Sequence, residues 1–261
     1  MEKIDVILVK LGGSLITFKD KPLKANFKVI DSLIKIFKQI STPMIVVHGG
    51  GSFGHYYANK YGLSDRSSSL SNTGVMLTKY YMNKLNSFVV DSFIKYNVPS
   101  YPMAPINMFV NDKLTNDTKN TLMYALKQGI TPITFGDVII SKDGYKILSG
   151  DKIMKLIGVN INPIRAVFLM NVDGFYYPDF NSDNLVSKLN FENKILKKFD
   201  VNKIDVTGGI NTKLQESIIL AKNGIDVSFV NGFKFDRVVK ALLGNNFKGT
   251  IIEGKKWVKM I

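Results

Sequence analysis

Short apolar runs of strand length alternate with longer segments of helical period along almost all of the 261 residues. Strands are predicted at Val6–Lys10, Met44–His48, Ser100–Pro102, Ile130–Phe135, Ala166–Met170 and Val227–Val230. Helices are predicted at Asn26–Ile40, Gly74–Tyr96, Thr118–Gln128, Asp151–Ile161, Asn211–Asn223 and Asp236–Leu243. Such alternation predicts βαβ units on a mostly parallel sheet, because parallel neighbours need a long crossover and a helix supplies it. Val138–Ile147 carries Lys142-Asp143-Gly144 between two β-like runs and predicts a hairpin. Gly249–Ile252 reads as a last short strand. Ser64–Thr73, rich in Ser and Asn, reads as a loop, either lying over a site or merely connecting.

Three glycine clusters follow apolar strands: Gly12-Gly13-Ser14, Gly49-Gly50-Gly51-Ser52-Phe53-Gly54 and Gly208-Gly209. In an α/β sheet, ligands bind beyond the carboxyl ends of strands. Glycine lets backbone amides close on an anion, and a helix start behind the turn adds positive dipole. One such cluster is equally well a tight turn; three together favour a site holding several phosphates. The pattern G-x-x-x-x-G-K-[ST] is absent, which disfavours P-loop NTPases. Gly49, Gly51 and Gly54 satisfy G-x-G-x-x-G. The acid expected about 20 residues on is missing from Ser71-Asn72-Thr73-Gly74, so the match is read as accidental.

Composition narrows the class further. With 45% hydrophobic residues the chain can bury a sizeable core, yet no apolar stretch is long enough to span a bilayer. The first residues lack the apolar run of a signal peptide and read as a strand. There is no cysteine, which excludes disulfides and thiolate chemistry and fits a cytoplasmic protein. The net charge is +14, but only Arg66, Arg165 and Arg237 are arginine and the lysines are scattered. That pattern reads as a solvated surface rather than a nucleic-acid face, since lysine lacks arginine's bidentate fork.

Several charged residues fall where chemistry would need them. Lys10 ends the first strand inside an apolar run, either as a cation aimed at a phosphate or as a snorkelling strand-edge lysine. Lys213 lies four residues after Gly209, within reach of an anion held there. Lys19 is a weaker candidate. Phosphoryl transfer asks mainly for positioning and charge neutralisation, which lysines with a nucleotide-borne metal ion provide. Asp151 opens a helix as a cap, or sits between two lysines and holds them. Asp173, in Asn171-Val172-Asp173-Gly174, marks a turn or a nucleotide contact. The two histidines flank one glycine loop: His48 reads as structural, and His55 emerges near the phosphate corner, where it could hydrogen-bond an acceptor phosphate.

Taken in order, VKLGGSLITFK, HGGGSFGH, FGDV, ILSGD, NVDGFY, VTGGINTK and GTII resemble the amino-acid kinase superfamily over essentially the whole chain, and within it most closely the isopentenyl phosphate kinases. The terminal histidine of HGGGSFGH separates that subgroup from acetylglutamate, aspartate and uridylate kinases. Fosfomycin kinases share the subgroup and remain the alternative, with other small-anion kinases behind them.

The resemblance implies an α/β fold: a three-layer αβα sandwich with a mostly parallel central sheet. It implies one domain over residues 1–261, the N-terminal part binding the acceptor and the C-terminal part the nucleotide. It implies ATP-dependent phosphorylation of isopentenyl phosphate to its diphosphate in isoprene biosynthesis, with Mg2+ carried on the nucleotide and a homodimeric, cytoplasmic enzyme that needs neither nucleic acid nor membrane. Residue by residue, Lys10, Lys19 and Lys213 would neutralise the transferring phosphoryl group, and Asp151 would organise the lysines. Gly12, Gly13, Ser14, Gly51 and Gly209 would cradle ATP phosphates, with Asn171, Asp173 and Gly174 near the nucleoside. His55, with Gly50, Ser52 and Gly136, would hold the acceptor phosphate. The helix from Gly74 offers Val75, Thr78 and Met82 to an isoprenoid tail, a spacing that any core-facing helix also shows. Asn171, Phe18 and Lys152 stand where the family often has acids.

Overall fold

In a computed structural model, residues 4–63, 71–141, 144–177, 181–189 and 210–255 are described. Strand β1 (Ile7–Leu11) is buried along its whole length. A strand covered on both faces reads as a continuous apolar run, so Ile-Leu-Val-Lys-Leu belongs in the middle of a parallel sheet. There it pairs in parallel with β2 (Met44–His48) on one side and β9 (Arg165–Met170) on the other. β6 (Thr131–Phe135) follows β2, and β3 (Ser100–Pro102) closes that edge, all parallel. Beyond β9 lie β11 (Asp226–Asn231), parallel to it, and β12 (Thr250–Ile252), antiparallel to β11. β10 (Lys188–Leu189) ends the sheet, giving the order β10-β12-β11-β9-β1-β2-β6-β3.

Helices cover both faces. The pleat sends alternate residues of β1 to opposite sides. Ile7, Val9 and Leu11 pack with α2 (Phe27–Lys38), α4 (Asn72–Lys95) and α9 (Phe235–Leu243). Leu8 packs with α7 (Gly150–Ile161) and α8 (Ile210–Lys222). This is the expected three-layer αβα arrangement with a mostly parallel sheet. The same pleat assigns Lys10 to the α7/α8 side. Because β2 and β9 flank β1, the chain turns away from β1 in both directions, and the crevice beyond its carboxyl end is the position where α/β sheets bind ligands.

Most predicted elements are present with ends displaced by one or two residues; β2 and β3 coincide with their predicted bounds. The Val138–Ile147 hairpin is β7 (Asp137–Ser141) against β8 (Gly144–Leu148), with Lys142 and Asp143 outside the described residues. Of the Ser64–Thr73 loop, 64–70 lie outside them too, while Ser71 caps α4 by accepting from the Gly74 N–H at 3.0 Å. Several elements went unpredicted, among them a helix and a small strand pair. Helix α3 (Gly51–Lys60) is composed largely of poor helix formers and is held by burying Phe53 and Ala58. The small pair β4 (Phe109–Val110) and β5 (Lys113–Leu114) turns through Asn111 and Asp112, both at positive φ (48° and 61°), as a two-residue hairpin requires. Two one-turn helices, α1 (Gly13–Ile16) and α5 (Pro105–Met108), and the predicted α6 (Asn116–Lys127) complete the framework.

Candidate active site

The site is built on the carboxyl end of β1. Lys10 is 5% exposed and directed at α7, whose first turn presents Asp151. Its Nζ lies 2.5 Å from Asp151 Oδ1, and Lys213 Nζ, from α8, lies 3.2 Å from the same oxygen. Two ammonium groups therefore share one carboxylate, which stands between them as one sequence reading expected. The trio carries a net positive charge in a largely dry place. Burial and the Lys213 charge lower the Lys10 pKa to about 8, against the opposing pull of Asp151. Burial alone would raise Asp151, but the two lysines outweigh it and hold the carboxyl below its ordinary range. Ser149 fixes the start of α7 by accepting the Lys152 N–H at 3.2 Å, and Gly150 gives the Lys10 stem room, since a Cβ there would lie 3.1 Å from Lys10 Cε. One turn further along the same two helices, Lys155 Nζ meets Glu216 Oε2 at 2.7 Å, a second pair of reversed polarity holding α8 to α7.

The glycine corners after β1 and β2 meet each other. A Cβ on Gly13 would fall 2.2 Å from the Gly51 backbone nitrogen. Gly51 has φ +48° and faces the Gly13 carbonyl and the Thr17 hydroxyl at distances no side chain tolerates. These glycines are required first by the approach of one backbone to another, and the amides they carry are held rigidly as a result. Ser14 is exposed on α1. Gly50 and Gly54 face the Met82 thioether, each with a hypothetical Cβ 3.0 Å from Sδ. Gly136 is likewise fixed by close approach: its N–H donates to the His48 carbonyl at 2.9 Å, and a Cβ would lie 2.9 Å from Gly150 N. Its amide is thus engaged within the fold. Ser52 Oγ and Thr78 Oγ1 are buried atoms with no hydrogen-bond partner among the described residues.

His55 sits on α3 with its side chain reaching solvent. The protein crowded around it and the charge of Lys10 lower its pKa, keeping the imidazole neutral at neutral pH. His48 is fully buried, stacks on Phe135 at 5.2 Å, and its pKa falls to about 4 through burial. That is the structural part expected of it. Lys19 lies exposed on the loop after α1 and, among the described residues, joins no ion pair. Thr78 and Met82 share the buried face of α4, whereas Val75 lines a groove of about 320 Å³ with Tyr80, Ile106, Val138 and Ile139. On the far side of β1, Asp173 accepts from Asn231 Nδ2 at 2.9 Å and meets Arg237 Nη1 at 3.0 Å. Burial opposes this ionisation, but those partners hold its pKa low. Gly174 packs on the Thr250 hydroxyl, and Asn171 is exposed at the end of β9. Gly209 lies outside the described residues.

The sequence did not single out Thr17, which joins the two glycine corners, nor the Lys79–Asp137 ion pair between α4 and the hairpin. Burial raises the Asp137 pKa to about 6 despite Lys79. Thr17 sits four residues after Gly13, the spacing at which a helical hydroxyl reaches back to a carbonyl, so a signal existed. For Lys79 and Asp137, far apart in the chain, none did.

A sequence model described as the amino acid kinase family matches residues 5–231. The chain is 29% identical to the isopentenyl phosphate kinase of Methanothermobacter thermautotrophicus, covering 96% of this chain and 100% of the relative. It is 32% identical to that of Thermoplasma acidophilum, covering 95% and 100%. Among solved structures, the T. acidophilum isopentenyl phosphate kinase product complex superposes with a TM-score of 0.78 at 28% identity, over 95% of this chain and 100% of that one.

Proposed function

We propose that this chain, which belongs to the amino acid kinase family, transfers the γ-phosphoryl group of ATP to isopentenyl phosphate. The observation that carries the reading is the pair of lysines on one buried carboxylate beside two interlocked glycine turns. Relatives named isopentenyl phosphate kinase that span nearly the whole chain support the acceptor.

Chemically, an oxygen of the acceptor phosphate attacks the γ-phosphorus in line. The bond to the β–γ bridging oxygen breaks, ADP leaves, and a diphosphate forms. The nucleophile is already an anion at neutral pH, so no general base is required. Charge moves onto the transferring group and the leaving oxygen, and fixed cations in a dry site stabilise it. Lys10 and Lys213 supply those cations, Asp151 holds them, and Lys19 joins them in stabilising the transferring group. Magnesium enters with ATP as part of the substrate. Gly12, Gly13, Ser14, Gly51 and Gly209 cradle the ATP phosphates, with Asn171, Asp173 and Gly174 toward the nucleoside. Gly50, Ser52 and His55 take the acceptor phosphate, with Gly136 behind them. Val75, Thr78 and Met82 on α4 give the isoprenoid tail an apolar wall. The N-terminal part of one domain thus serves the acceptor and the C-terminal part the nucleotide, in a cytoplasmic homodimer.

ADP release with Mg·ATP and a panel of isopentenyl phosphate, dimethylallyl phosphate, fosfomycin, acetylglutamate and uridylate tests the acceptor. Strong turnover confined to isopentenyl phosphate, or shared with its dimethylallyl isomer, is expected; turnover confined to another member discards the acceptor. His55 supplies a second check. His55→Ala should raise the KM for the acceptor phosphate by roughly ten- to a hundredfold, the loss of a hydrogen bond to a charged group. The KM for ATP should stay nearly constant. An equal change in both would remove His55 from the acceptor side.

A further inference from the structure

One buried hydroxyl ties the two glycine corners together. Thr17 is 2% exposed and caps α1. Its Oγ1 donates to the Gly13 carbonyl at 2.8 Å and accepts the Ser52 N–H at 2.9 Å. Its own N–H also goes to the Gly13 carbonyl, at 3.0 Å. Gly13 belongs to the turn after β1 and Ser52 to the turn after β2, so a single side chain spans both. Thr17 is anchored from a third direction by an antiparallel bridge to Ala25, and the Asn26 N–H donates to the neighbouring Ile16 carbonyl at 2.8 Å.

We propose that Thr17 is a positioning residue that sets the separation between the cradle of the ATP phosphates and that of the acceptor phosphate, touching neither substrate. The inference rests on the assignment given above, with Gly12, Gly13 and Ser14 in the ATP cradle, Gly51 held against them by backbone contact, and Gly50 and Ser52 in the acceptor cradle. A hydroxyl is a small group able to donate in one direction and accept in another. Valine fills the same space and does neither. Without the hydroxyl, the Ser52 N–H loses its acceptor, and Ser52 in the first turn of α3 is free to shift relative to the Gly13–Gly51 contact, which backbone packing still holds. Each turn keeps its own amides, so each substrate still binds. What changes is the distance between the reacting atoms, and an error of about 1 Å there lowers the rate by about a hundredfold.

Thr17→Val should therefore lower kcat by about thirty- to a hundredfold, with both KM values within about threefold of wild type. Thr17→Ser keeps the hydroxyl and should restore kcat to within about threefold. A widened gap also admits water, so ADP release by Thr17→Val should exceed phosphorylated product, the difference appearing as inorganic phosphate. Thermal melts of all three proteins normalise the rates to folded enzyme. Unchanged kcat and one-to-one stoichiometry in folded Thr17→Val would overturn the proposal, as would equal losses in Thr17→Val and Thr17→Ser. The comparison is made on whichever acceptor the wild-type enzyme turns over. Inactivity toward isopentenyl phosphate alone therefore discards the proposed acceptor while Thr17 is still decided; inactivity with every acceptor discards both.

Discussion

Lys10→Met should abolish most of the phosphoryl transfer while leaving the protein as stable as before, or more so. Lys10 is one of two ammonium groups on Asp151, so its removal leaves a neutral Asp151–Lys213 pair where a net positive trio stood. Methionine fills the space of the lysine stem beside Gly150 and Phe168. Burying the ammonium is costly, as its lowered pKa records, and exchanging a buried ion for an apolar side chain is often neutral or stabilising. The rate behaves oppositely, because a cation fixed against the transferring group is worth roughly a thousandfold. Steady-state kinetics with thermal unfolding of the same preparation checks both halves. Full activity in Lys10→Met would remove it from the chemistry; a large fall in Tm would show that its charge holds the fold.

The neighbouring carboxylate should give the contrary pattern. Asp151→Asn leaves two ammonium groups, buried or nearly so, with no counter-charge, and stability should drop by about 3 kcal/mol, or roughly 8 °C in Tm. Activity should fall by about a hundredfold, because Lys10 and Lys213 no longer share an anchor. The pH profile follows from the signs. Lys10 acts as a cation, so kcat/KM of the wild type declines as pH rises through about 8 in the free enzyme. Asp151 raises that pKa, so its loss moves the alkaline limb to lower pH. An unmoved limb in Asp151→Asn would mean that another group titrates there.

The parts of this site that could be read in the sequence share one property: their signal is local. A lysine closing an apolar strand, an aspartate after Ser-Gly at a helix start and a histidine behind a glycine run are each visible within a few residues. The layering was legible for the same reason, since the short unbroken apolar runs of β1 and β2 stand apart by length from a helical segment such as α4. What escaped were consequences of tertiary proximity. Gly12, Gly13, Gly49 and Gly51 look like anion-binding turns, and nothing nearby in the chain says that one turn rests on the other's backbone. Gly136 reads as an acceptor contact, and nothing near it in the chain says that its N–H donates to the His48 carbonyl. Helix α3 was missed because its glycines and aromatics argue against a helix and only burial of Phe53 and Ala58 against the fold reverses that. Thr17 had a local hint toward Gly13 and none toward Ser52.

The contact between the turns after β1 and β2 also decides where laboratory evolution of acceptor scope can go. Any substitution at Gly13 or Gly51 inserts a side chain into another segment's main chain, so libraries at those codons yield unfolded protein rather than altered preference. At Gly54 the opposing surface is the flexible thioether of Met82 instead of backbone, whereas Gly50 meets both that thioether and the Gly54 main chain. On the proposed assignment of the acceptor pocket, Met82, together with Thr78 and Val75, is therefore the mutable wall, and a search for enzymes accepting longer or bulkier phosphates is best confined to that helix.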